Sequence, residues 1–180
     1  MHPELPFEGC YVVDTQLMAG PYPTGRTTAM ANYKLQALLD AGIDAVIYLT
    51  REHEAPFWGH AAEGYAARLQ ALAEERNRRL RYHRFGFLDM SVPDPELMMK
   101  ILDTIDALRS DGAHVYVHCY GGVGRTGTVV GCWIARHGIA NGPAVLATID
   151  RLRGFEASRH LHSPQTDAQR MMVTGWERGR

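Results

Sequence analysis

Two periodicities alternate along the 180-residue chain. The run Ala45-Val46-Ile47-Tyr48-Leu49 is continuously apolar, as expected of a strand buried on both faces, and Ala113-His114-Val115-Tyr116-Val117 is a second β-like run. Between and after them apolar residues recur at helical spacing. Residues 27–40 carry Met30, Tyr33, Leu35, Leu38 and Leu39, with Gly42 as a C-terminal stop, and residues 95–109 carry Leu97, Met98, Ile101, Leu102, Ile105 and Leu108. Further helices are expected over 60–78, from Arg125 to about His137, over 143–152 and over 164–177. One or two short strands are expected within residues 10–19, ended by Gly20-Pro21-Tyr22-Pro23, and another from Leu80 to Phe87. Strands alternating with helices predict an α/β fold: one domain over residues 1–180, its central, mainly parallel sheet flanked by helices.

Composition leaves that picture intact and narrows the function. Hydrophobic residues make up 46% and charged residues 22%, so the chain can bury a core. A net charge of −1 supplies no bulk field toward nucleic acid or a membrane surface. No apolar stretch approaches the ~20 residues of a membrane span, and the start, Met1-His2-Pro3-Glu4, has no apolar run behind it. Three cysteines are too few and too odd in number for a disulfide scaffold, and suit a reducing cytoplasm.

The segment His118-Cys119-Tyr120-Gly121-Gly122-Val123-Gly124-Arg125-Thr126-Gly127 carries the chemistry. A strand leads in and a helix leads out, so a glycine-rich loop opens onto a helix N-terminus, where backbone N–H groups and the helix dipole hold oxyanions. In parallel α/β sheets such sites lie at the carboxyl ends of the strands. Gly121, Gly122 and Gly124 let the loop curl its N–H groups inward. Arg125 offers a planar fork for two phosphate oxygens, which lysine lacks. A cysteine thiol, with a pKa near ~8.5 when free, is acidified by a helix N-terminus and a nearby cation, so Cys119 reads as a thiolate nucleophile. Thr126 would give a hydroxyl hydrogen bond to the sulfur, and His118 would brace the loop. Other readings fit worse. A dinucleotide fingerprint Gly122-x-Gly124-x-x-Gly127 needs a second strand and an acid about 20 residues on, and a nucleotide loop needs a lysine. A merely structural Cys119 leaves the bracketing Arg125-Thr126 unexplained.

His118-Cys119-x5-Arg125-Thr126 resembles the signature of the cysteine-dependent protein tyrosine phosphatase superfamily, and the loop interior is most similar to its small dual-specificity branch. The resemblance runs from about Val12 to Trp176. It implies a metal-free hydrolysis of phosphotyrosine, with phosphoserine and phosphothreonine left open, through a phosphocysteine. It also implies Tyr120, Gly121, Gly122, Val123, Gly124 and Arg125 as the phosphate cradle, no cofactor, a phosphorylated protein or peptide as partner, and a cytoplasmic monomer. The loop interior has no lysine, which makes a phosphoinositide the weaker substrate. A binding module of the same fold, without turnover, and a rhodanese-like sulfur transferase are the rivals.

A leaving alkoxide or phenoxide needs a proton, and a carboxyl on a loop is the common donor. Asp89 ends a strand with no structural duty and fits the family's Asp-x-x-x-Pro loop. The alternative, Asp94, precedes Pro95 and reads as a helix N-cap. Gln165 and Gln169, four apart on one helical face, resemble the Gln-Thr-x-x-Gln segment of larger tyrosine phosphatases, which implies that Gln169 positions the hydrolytic water and Gln165 assists. The local reading of the same stretch is a helix start with Ser163 as cap and Pro164 at its first position. Three features are discounted. His160 and His162 lack further residues at metal-ligand spacing. The run Arg76, Arg78, Arg79, Arg81, Arg84 reads as a solvated face, and Cys132 as core. Arg51 and His53 could face an anionic substrate.

Overall fold

The computed structural model describes residues 5–52, 54, 65–154 and 161–180. Among these, the elements in chain order are β1 (Tyr11–Asp14), β2 (Leu17–Gly20), α1 (Thr28–Asp40), β3 (Ala45–Tyr48), α2 (Tyr65–Glu75), β4 (Arg81–Arg84), α3 (Pro95–Ser110), β5 (Val115–His118), α4 (Gly124–Arg136), α5 (Ala144–Leu152) and α6 (Asp167–Thr174). The expected order is therefore found, with shorter ends: the run over 10–19 is a hairpin, the strand expected over 80–87 is regular only over 81–84, and residues 60–64 of the second helix lie outside the described residues.

The five strands lie in the order β1-β2-β5-β3-β4. Only β1 and β2 are antiparallel; β2–β5, β5–β3 and β3–β4 are all parallel. Burial on both faces follows from the alternation of side chains along a strand. Leu17, Ala19, Ala45, Ile47, Val115 and Val117 face one core, where they meet Met98, Ile101 and Ile105 of α3, Val129 and Trp133 of α4 and Ile149 of α5. Their sequence neighbours Met18, Val46, Tyr48 and Tyr116 face the other, against Leu35 and Leu38 of α1 and Leu69 and Leu72 of α2. Parity assigns His118 to the α1–α2 side and Cys119 to the other, and the loop between β5 and α4 sits at the carboxyl ends of the central strands.

The helix starts show why the sequence folds locally as it does. Thr27 caps α1 and Asp94 caps α3, the latter accepting from Leu97 N at 2.8 Å with Pro95 behind it. For α6 the cap is Thr166 in a reciprocal capping box with Gln169, not the expected Ser163; the hydroxyl of Ser163 donates instead to Val123 O at 2.8 Å. The arginine run is less a solvated face than expected. Arg78 donates to Leu39 O, Gly42 O and Ile43 O, closing the end of α1, while Arg76 pairs with Asp40 and Arg81 with Asp44. Cys132 is core, as read, and burial pushes its thiol pKa up.

Candidate active site

Gly122 is the glycine on which the loop turns. Its φ is +69°, and a Cβ there would stand 2.5 Å from the carbonyl carbon of Gly20 and 2.7 Å from Pro21 N. At Gly124 a Cβ would meet Gln165 Oε1 at 2.5 Å, the end of an exposed side chain that can swing aside, and the buried carboxamide of Gln169 at 3.3 Å, so the fit there is tight. Gly121 has neither a left-handed backbone nor a close neighbour, so the curl of the loop does not need three glycines. Tyr120 O accepts from Tyr22 N at 2.8 Å, which ties the loop to the turn after β2. α4 starts directly out of this loop, with no side chain capping Val123, so its first-turn N–H groups are left for an anion. Cys119 lies at the loop's base and is buried.

Arg125 is fully buried. Its Nη1 and Nη2 hold the two oxygens of Glu54 at 2.9 and 2.7 Å, a bidentate fork, and Nη1 also donates to Phe87 O at 3.1 Å. Its Nε lies 3.2 Å from Asp89 Oδ1, an ion pair outside hydrogen-bond geometry, so the Nε–H stays open. The guanidinium is thus held end-on by Glu54, with its Nε edge turned to Asp89. Glu54 was not anticipated from the sequence. Asp89, 57% exposed, stands at that mouth, whereas Asp94 is committed to capping α3.

His118 is buried behind the loop. Its Nδ1–H donates to Cys119 O at 3.0 Å, and its Nε2 accepts from Tyr65 Oη at 2.7 Å. These bonds tie the ring to the carbonyl of Cys119 at the base of the loop and to Tyr65 at the start of α2. Tyr22, Tyr48 and Tyr116 surround the ring at centroid distances of 5.5, 4.9 and 5.5 Å. Tyr120 leans over Arg125, 5.8 Å from ring centroid to guanidinium, and its hydroxyl donates to Glu54 O. Thr126 Oγ1 is buried with no hydrogen-bond partner among the described residues, a spare donor at the start of α4.

The two glutamines divide unexpectedly. Both carboxamides sit against Gly124. That of Gln169 is fully buried; its Oε1 accepts from the N–H groups of Gln165 and Thr166, both at 3.1 Å, and its Nε2 donates to Ser91 O at 3.0 Å. Gln165 is the exposed member of the pair. Arg51 is exposed, and its Cα would lie 2.7 Å from a Cβ on Gly86. His53 and His160 lie outside the described residues, and His162 is exposed.

A family described as "Tc-R-P: Polymorphic toxin system, DSP-PTPase phosphatase" matches residues 19–139, a span that runs from the end of β2 through α4 and contains the whole loop. The chain belongs to this phosphatase family. Among curated proteins the chain is 40% identical over 50 residues to the tyrosine-protein phosphatase cdc-14 of Caenorhabditis elegans, a match covering 28% of this chain and 7% of that protein. The curated relatives it matches are thus far longer than the matched part. Two solved structures share its fold across nearly their whole length. Kinase associated phosphatase superposes with a TM-score of 0.68 at 17% identity, covering 93% of this chain and 91% of that one. PTPMT1 in complex with PI(5)P gives 0.67 at 18%, covering 94% of each.

The electrostatics of this site centre on Arg125. Burial opposes charge on the Glu54 carboxyl, but the hydrogen bonds and charge of Arg125, with the N–H of Arg51, outweigh it and hold its pKa below the usual carboxylate range. Burial likewise disfavours the guanidinium, and Glu54, Cys119 and Asp89 more than restore its affinity for the proton. His118 goes the other way: burial, reinforced by the charge of Arg125, lowers its pKa to about 4 against the opposing bond to Cys119 O, so the ring is neutral at pH 7. Burial raises the Tyr120 phenol to about 12. Among the described residues no helix is long and apolar enough to cross a membrane.

Proposed function

We propose that the chain hydrolyses phosphotyrosine on proteins, without a metal, through a phosphocysteine on Cys119. The observation that carries this is the presentation of Arg125: its end fork is locked on Glu54 while its Nε edge is open beside Asp89, at a helix start no side chain caps. Phosphate would bind that edge and the N–H groups of Tyr120 to Arg125, which together stabilise charge on the equatorial oxygens as phosphorus is attacked. In the first step Cys119 Sγ, as thiolate, bonds to phosphorus and the P–O bond to the leaving group breaks; the proton of Asp89 passes to the leaving oxygen. In the second, Asp89 takes a proton from water, the water oxygen bonds to phosphorus, the S–P bond breaks and inorganic phosphate leaves. Thr126 Oγ1–H is available to the departing sulfur. Gln165 is the better candidate to orient the water, because the acceptor oxygen of Gln169 already carries two backbone N–H groups.

The substrate is read as a protein because the loop interior, Tyr120 to Gly124, has no basic side chain to meet further phosphates. The test is turnover in EDTA of para-nitrophenyl phosphate, a phosphotyrosine peptide, a phosphoserine peptide and phosphatidylinositol 5-phosphate. Wild type should cleave the aryl ester and the tyrosine peptide, and Cys119→Ser should cleave none. Asp89→Asn should lose roughly 10²–10⁴-fold on the peptide. Preferential turnover of the lipid would replace protein by phosphoinositide as substrate. Tight vanadate binding without turnover would make the chain a binding module.

A further inference from the structure

A glutamine meant to orient a water needs a free amide oxygen, and Gln169 has none. Every bond its carboxamide makes ties two pieces of backbone together. Gln169 Oε1 accepts from Gln165 N and Thr166 N, and Thr166 Oγ1 accepts from Gln169 N at 3.2 Å, which fixes the start of α6. Its Nε2 then reaches across to Ser91 O, 78 positions earlier in the chain.

Ser91 belongs to the turn that carries the acid. Its Oγ donates to Leu88 O at 2.7 Å and its N–H to the same oxygen at 3.3 Å, so residues 88–91 close on themselves. Met90 completes the turn with φ +60°. Asp89 lies inside this closed unit, and among the described residues the outward Ser91 carbonyl is bound by the side chain of Gln169. α6 in turn packs on α4, and the same carboxamide lies against the Cβ position of Gly124. One buried side chain thus fixes the distance between the acid's turn and the phosphate loop.

We propose that Gln169 is a positioning residue of the acid-bearing turn: its Nε2–H on Ser91 O holds Asp89 over the phosphate loop. The inference rests on Asp89 as general acid. It places the effect of Gln169 in the first chemical step, proton delivery to the leaving group, and not in hydrolysis of the phosphocysteine.

The two steps separate kinetically. kcat/KM reports binding and phosphorylation of the cysteine, and kcat includes the water attack. A misplaced acid hurts esters of weakly acidic phenols most, because they depend most on the donated proton. Gln169→Glu is the informative variant, since glutamate serves the third position of a capping box as well as glutamine but has no N–H for Ser91 O. Its kcat/KM should fall about tenfold on phenyl phosphate, whose leaving group has a pKa near ~10 like tyrosine, and less than about threefold on para-nitrophenyl phosphate. Gln169→Met, which removes the bond without adding a charge, should show the same selective loss. Gln165→Ala should instead lower kcat on both esters, leave kcat/KM unchanged and give a burst of phenol.

An unchanged kcat/KM with lowered kcat in the Gln169 variants would overturn the proposal in favour of a water-orienting role. Equal losses in kcat/KM on both esters would overturn it in favour of an effect on binding. Asp89→Asn is run alongside. If it shows no dependence on the leaving group, the acid assignment itself fails; if it does while Gln169→Glu does not, only the positioning role fails.

Discussion

Protonating His118 should loosen the site, and the structure fixes how much. The ring's Nε2 accepts from Tyr65 Oη, and its Nδ1–H is spent on Cys119 O, so a second proton must displace the Tyr65 bond and sit in a buried shell near Arg125. Its pKa is about 4 in the folded chain and 6.5 ordinarily. The unfolded state therefore binds more protons between these values, and stability is full above pH 6.5 and falls as pH drops toward 4. At about 1.4 kcal/mol per pH unit the interval sets a limit of about 3 kcal/mol, of which about 2 kcal/mol is lost by pH 5. With a urea slope of roughly 2 kcal/mol/M this is a fall of about 1 M in midpoint. The assay is urea unfolding at half-unit steps from pH 7.5 to 4.5, for wild type and His118→Gln. Carboxylates such as Glu54, whose depressed pKa makes its contribution fade only at lower pH, are common to both and cancel in the difference. The wild type should lose about 2 kcal/mol more than the variant between pH 7 and 5. Parallel curves for the two proteins would refute the neutral, braced His118.

Two further predictions concern the loop and its clamp. Glu54→Ala leaves a fully buried guanidinium without its bidentate carboxylate and should cost about 3 kcal/mol in urea unfolding, the low end for a broken buried pair because Glu54 keeps 16% exposure; vanadate binding should weaken with it, and a cost under about 1 kcal/mol would make the pair a surface contact in energy terms. Adjacent glycines should answer alanine differently: Gly122→Ala, left-handed and 2.5 Å from backbone, should destabilise by roughly 2 kcal/mol or more and lose phosphate affinity, while Gly121→Ala should stay within about 0.5 kcal/mol of wild type.

What the sequence made legible follows from how local each signal is. Strand parity is local, so the two-faced core could be read from Ala45 to Leu49 before any contact was known. The cysteine, its glycines and Arg125 are contiguous, and the strand before and helix after them fix how they face one another. Glu54 is different. It reaches Arg125 across 71 positions, from a segment with no periodicity, and nothing in Arg51-Glu52-His53-Glu54 distinguishes one acid from the other. The glutamines fall between. Their spacing put both on one face, but spacing is silent on which amide is consumed by the backbone. The Thr166-x-x-Gln169 pattern held that information as a capping box, and Ser163-Pro164 offered a competing start that masked it. Arg78 likewise looks like its neighbours in a charge run until three carbonyls at the end of α1 converge on it. In each case the missed partner is a backbone carbonyl or N–H, or a distant side chain. Side-chain identity predicts chemistry in sequence, but the backbone groups that use up a side chain's hydrogen bonds, and so decide whether it is free to act, are placed only by the fold.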